Sequence, residues 1–218
     1  MPTPKERLSH LLELAAQGRE QRAALAGEVA DLLLDWPVQY PEAMRATFGA
    51  LLEKIVREVD APARAALAAR FEGRADFPLS LLNEFFLAAA PAMQDAILAA
   101  NDAADTRTPV VINSEALLAA ARASKDFASA LAGIAAVPHG VSLDIVHDAR
   151  ALAALCKGAG ISRAAFSAMA ILTGPVRSVH ENFAMLTVFD RVPANGAAHL
   201  LAFWRARAET DSGIERAA

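Results

Sequence analysis

A single cysteine leaves no internal disulfide to form, and a chain of 218 residues can bury enough core to need none. The first thirty residues carry "KER", "GRE" and "QRA" where a secretory leader needs an unbroken apolar run, so the expected compartment is the reducing cytoplasm. No stretch approaches the roughly 20 apolar residues of a membrane-crossing helix, and no membrane partner is expected. A basic excess is missing too: 11 basic residues face 16 acidic ones before Thr108, and 10 face 9 from there on. That balance lacks the footprint of phosphate-backbone binding and argues against a nucleic-acid partner. Also lacking are a nucleophile elbow, a Gly-Lys-Ser/Thr phosphate loop and a histidine-rich zinc motif. On that basis no catalytic residue, cofactor or metal-ligand set is assigned.

Scarce β-branched residues are replaced by alanine and leucine, recurring at three- and four-residue spacings, and the pattern predicts an all-α protein. Helices are expected at Pro4–Gln17, Arg19–Asp35, Pro41–Val59, Ala61–Phe71, Pro78–Ala89 and Pro91–Asn101. Six more follow, at Ser114–Ala123, Lys125–Ala136, Ser142–Lys157, Ser162–Thr173, Ser178–Asp190 and Asn195–Glu209. Pro41, Pro62, Pro78 and Pro91 stand where a helix begins, because a first-turn amide has no intrahelical partner and the ring presets φ. Short helices opened this way, with "PARAALAAR" echoed by "PAMQDAILAA", suggest stacked helical pairs of the HEAT, or α-solenoid, type. The polar stretch "NDAADTRTPVVINSE" holds the one β-branched run and is the expected boundary, giving a HEAT-like subdomain over 1–107 and a second helical subdomain over 108–218.

The segment 148–173, "DARALAALCKGAGISRAAFSAMAILT", carries most of the chemistry to be weighed. Cys156 falls near a helix C-terminus, whose negative dipole end opposes a thiolate, so an inert thiol is expected. Without a preceding strand, Gly158 and Gly160 read as helix-ending residues, with Ser162 capping the next helix, rather than as a phosphate cradle. The same residues resemble a helix-turn-helix, with Gly160 in the turn and Phe166 pointing inward. A DNA-binding regulator is therefore the alternative reading, its outward residues Ser162, Arg163 and Ser167 supported by Lys157 and Arg177. His147-Asp148 followed by Arg150 resembles the phosphoacceptor box of histidine phosphotransfer proteins, which makes His147 a candidate phosphoacceptor and Asp148 its orienting acid. The same "HD" resembles that of helical metal-dependent phosphohydrolases, for which His139 and Asp190 would have to join it; His10, His180 and His199 stand singly. In "DWPVQYPEA", Trp36 and Tyr40 either anchor a partner or plug the gap between neighbouring helices, and the apolar stripe running into Trp36 favours the plug.

Together, "AALAGEVADLLLD", "LLEKIVREVDAPARAALAARF", "LAALCKGAGISRAAFSAM" and "FWRAR" resemble the alphaproteobacterial all-helical domain of unknown function 2336 family. The resemblance implies a HEAT-like N-terminal part and a helical C-terminal part, and it brings no catalytic residues. The expected function is a non-enzymatic, regulatory protein–protein interaction module, since stacked helical pairs offer a groove or ridge to another protein.

Overall fold

The alanine- and leucine-rich periodicity does fold as helix throughout. In a computed structural model, residues 19–74, 76–123, 126–173 and 179–215 are described, and among them there are twelve α-helices and no strand. The helix expected at Pro4–Gln17 lies outside the described residues. The chain divides into two compact units, residues 1–93 and 94–218.

Unit 1 contains α1 (Arg19–Leu34), α2 (Glu42–Val56), α3 (Ala61–Arg70) and α4 (Leu79–Phe85), followed by a 3-10 turn at Phe86–Ala88. Proline sets the starts of three of them: Pro41 and Pro78 are the N-cap residues of α2 and α4, and Pro62 sits in the first turn of α3. Asp60 completes the α3 cap by accepting the Ala63 amide at 2.8 Å. α1 packs on α2 and α3, and α4 packs on the same two. Two helical pairs side by side make contacts of this kind. The core is apolar, with Phe71 edge-on to Phe77 at 4.8 Å and stacked on Phe85 at 5.2 Å. One charge is buried in it: the Glu84 side chain, 1% exposed, accepts from Arg57 Nε at 2.7 Å, and Arg57 Nη2 also donates to Glu53 at 3.1 Å.

α5 (Pro91–Asp102) carries the division between the units in its first turn. Unit 2 continues with α6 (Ser114–Ala123), α7 (Phe127–Ala135), α8 (His139–His147), α9 (Ala149–Gly158), α10 (Arg163–Thr173), α11 (Val179–Arg191) and α12 (Ala194–Glu215). The division therefore lies upstream of the expected one at Arg107/Thr108, and side-chain chemistry explains why. Asn195, at the start of α12, donates to the carbonyls of Asp102 and Ala104 and accepts the Arg107 amide at 2.8 Å. The Gly196 amide binds the Asp102 carboxylate at 3.1 Å, and the His199 ring meets the Asp105 carbonyl at 2.6 Å. Polar composition marks this connection as exposed, but those bonds fasten it to α12.

Unit 2 radiates from α9, which touches α8, α10, α11 and α12. Ala151 to Cys156 and Gly158 are all buried, so the middle of α9 is covered on every side, while Arg150 and Lys157 near its ends are only half-buried. Close approach depends on small residues: a Cβ on Gly158 would lie 2.4 Å from the Ala197 carbonyl oxygen, and one on Gly196 would lie 2.3 Å from that of Leu98. The all-α class holds. Two stacked pairs do not make a solenoid, however, and unit 2 does not repeat them, so a HEAT-type arrangement is not established.

One expected helix, Ser142–Lys157, is two. The backbone at Asp148 is extended (φ −115°, ψ 111°), and its carboxylate accepts the amides of Arg150 at 2.7 Å and Ala151 at 3.1 Å, restarting the helix. His139 is the first residue of α8, with Pro138 as its N-cap. Among the described residues no single helix is long and apolar enough to cross a membrane.

Candidate functional site

The α9–α10 joint is built by its glycines in different ways. Gly160 holds φ +68°; its amide bonds to the Lys157 carbonyl at 3.0 Å and the Ile161 amide to that of Cys156 at 2.8 Å, which closes the end of α9 as a Schellman cap. Gly158 instead makes room for α12. Neither cradles a phosphate, because the amides around Gly160 are spent on helix carbonyls. Ser162 Oγ accepts the Ala165 amide at 3.3 Å and caps α10. Cys156 is fully buried, and that burial pushes its thiol well above the ordinary cysteine pKa, the state of an unreactive side chain.

On α10 Phe166 points inward and stacks on Phe189 of α11 at 4.8 Å. Arg163, which a DNA-reading helix would present to bases, is exposed but held as a fork: Nε and Nη2 donate to the two Asp190 oxygens at 2.8 and 3.1 Å. Lys157 donates to the Phe189 carbonyl at 3.3 Å and lies over its ring at 4.7 Å. Ser167 is half-buried, and Arg177 lies outside the described residues. Both described cations of the joint thus serve the α9–α10–α11 packing. A phosphate contact by Arg163 would first have to break a bidentate pair, and such pairs are the stronger kind of ion contact.

His147 is exposed but ends the nine-residue α8, whereas a phosphoacceptor histidine stands mid-helix in a long hairpin. The neighbouring acid is committed elsewhere: besides capping α9, Asp148 accepts from Gln94 Nε2 at 2.6 Å. We expect Asp148→Ala to lower stability by about 1–2 kcal/mol, the usual worth of an N-cap, with Asp148→Asn retaining most of it. Urea unfolding followed by circular dichroism checks this; an unchanged midpoint for the alanine variant would mean that the α8–α9 break does not depend on the cap.

His139 opens α8 and Asp190 is engaged by Arg163, so the "HD" segment gains neither as a co-ligand. Among the described residues no group of three or more His, Cys, Asp or Glu could hold a metal ion. His10 and the side chain of His180 fall outside them. In unit 1, Trp36 packs against Phe48 of α2 (6.1 Å) and edge-on to Tyr40 (5.6 Å), the plug geometry, with Val38 fully exposed at the loop tip.

Three side chains not singled out from sequence stand out in space. Ile171 and Leu172 on α10 are 56% and 42% exposed, and Phe183 on α11, the helix α10 packs against, is 65% exposed. A signal for the first two existed. Phe166, Met169 and Ala170 form the buried stripe at spacings of three and four, and 171 and 172 fall off it. Comparison with known protein families, curated proteins and solved structures gave no match for this chain.

Proposed function

We propose that the chain is a non-enzymatic helical module that binds another protein through the α10–α11 face of unit 2. The observation that carries the reading is the exposure of Ile171 and Phe183, one on each helix of a packed pair. Isolated exposed apolar residues are ordinary, but large ones gathered on neighbouring elements gain free energy when a partner removes them from water. Charge on the same two helices is matched where it is described: Arg163 and Asp190 neutralise each other. Ser162, Arg163 and Ser167 supply a polar rim, and Trp36 and Tyr40 are left to the packing of unit 1. The resemblance to a helical family brings no catalytic residues to set against this reading.

The test is an Ile171→Asp/Phe183→Asp variant. Both sites are exposed, so stability is expected to change by no more than about 0.5 kcal/mol per site. The unmodified protein should capture one protein partner in a stoichiometric ratio, and the variant should lose it. Equal capture by both, or no capture by either, would sink the proposal. Recovery of DNA in place of protein, lost on raising salt and on Arg163→Glu, would replace it with the helix-turn-helix reading.

A further inference from the structure

We infer that the cleft in unit 1 between α2 and the turn preceding α4 is a binding site for a neutral aromatic ring system of one or two fused cycles. Buried Leu33, Gly49 and Phe77 form its floor, and Glu42, Arg45 and Asp76 stand at its mouth. The volume is about 340 Å³. An apolar cavity of about 150 Å³ admits benzene, so two fused rings fit here.

Gly49 is the first argument. It sits inside α2, where alanine is the better helix former, and it is buried, yet a Cβ built on it meets nothing within 4 Å. No packing neighbour asks for glycine there. The space on that side of α2 is the cleft itself, and the absent side chain is what keeps it open.

The second argument is the chemistry of the wall. The Arg45 guanidinium lies 5.1 Å from the centroid of Phe77, and that of Arg74 lies 5.3 Å from it, so planar cations already meet a π-face here. Arg45 lines the cleft and can do the same for a guest ring. The charges, in contrast, are matched among themselves. Asp76 accepts from Arg45 at 2.9 Å and from Arg74 at 3.1 and 3.3 Å, and Arg45 also faces Glu42 at 3.6 Å. The hydrogen bond from Arg74, with that from Arg45, holds the Asp76 carboxyl down to about 2, so the acid stays ionised and engaged. A charged guest would have to displace one of these partners, and a neutral ring would not.

A free small aromatic and a tryptophan side chain of a polypeptide present the same ring, so two probes are needed. The full chain, nitrogen-15 labelled, is titrated with indole and separately with N-acetyltryptophanamide. Saturable amide shifts centred on Gly49 and Phe77 are expected with indole. Gly49→Leu, whose Cβ meets nothing within 4 Å, extends into the cleft and should weaken binding by about tenfold or more, with helical content and melting temperature undiminished. If that variant loses helix, Gly49→Val narrows the same space and takes its place. Tighter binding of N-acetyltryptophanamide than of indole would identify a polypeptide as the source of the ring, and the reverse order a free small molecule. Indole shifts that do not saturate, or a filled variant that binds as well as the unmodified chain, would overturn the assignment. The site lies in unit 1 and does not rest on the α10–α11 face.

Discussion

Gly158→Ala should lower the stability of unit 2 by about 3 kcal/mol, at the upper end of what overpacking does. In an open helix the same exchange would help by about 1 kcal/mol, because glycine is the poorer helix former. Here the new methyl would sit 2.4 Å from the Ala197 carbonyl oxygen and 2.7 Å from its carbon. Those are backbone atoms and cannot rotate away, so α9 and α12 would have to part. Parting them uncovers Leu200, Leu201 and Trp204, all fully buried now. Chemical denaturation followed through tryptophan fluorescence reads the loss, and Gly160→Ala is the natural control. At Gly160 nothing lies within 4 Å of the added Cβ, and only the left-handed backbone opposes it, for about 1–2 kcal/mol. A Gly158 variant no worse than the Gly160 one would mean that α12 gives way easily.

Arg57→Met is expected to destabilise unit 1 by about 3 kcal/mol, while Arg57→Met combined with Glu84→Leu should recover most of that loss. The asymmetry follows from where the two charges sit. Glu84 is 1% exposed and would lose its 2.7 Å bond from Arg57 while staying buried, whereas Arg57 is partly solvated and keeps Glu53 if Glu84 is removed. Burying a pair sets desolvation against attraction and leaves little net gain; removing the cation takes away its share of the attraction while the desolvation stays. A double-mutant cycle in urea isolates the coupling. If the two single losses simply add in the double variant, the pair contributes nothing specific and the expectation fails.

Where a helix start depends on a residue's own chemistry, the sequence could be read almost to the residue. Pro41, Pro62, Pro78 and Pro91 each mark an observed start, and Ser114–Ala123 is found with its expected bounds. The Asp148 break is hidden because the apolar run continues across it; only the structure shows the aspartate extended and capping Arg150 and Ala151, with Gln94, distant in sequence, on the same carboxylate. The same limit applies to the surface chemistry. Arg163 and Asp190 look like two separate solvated charges until α10 and α11 pack, and Gly49 looks like any helical glycine until the space beside it is seen to be empty. Periodicity reports which face of a helix is apolar, but not which polar groups of other helices arrive to meet it.

The fastening of the α5–α6 connection to α12 has a consequence for the order of events during synthesis. Its hydrogen bonds join residues 88 to 94 positions apart. The four helices of unit 1 find their partners among near neighbours as they emerge from the ribosome. Unit 2 differs in that α9, buried from Ala151 to Cys156, meets α8 before it but takes the rest of its cover, α10 to α12, from chain translated after it. Until Ala194 and the residues beyond it have left the exit tunnel, the nascent chain carries an apolar helix only partly covered, and in that interval it is most in need of a chaperone.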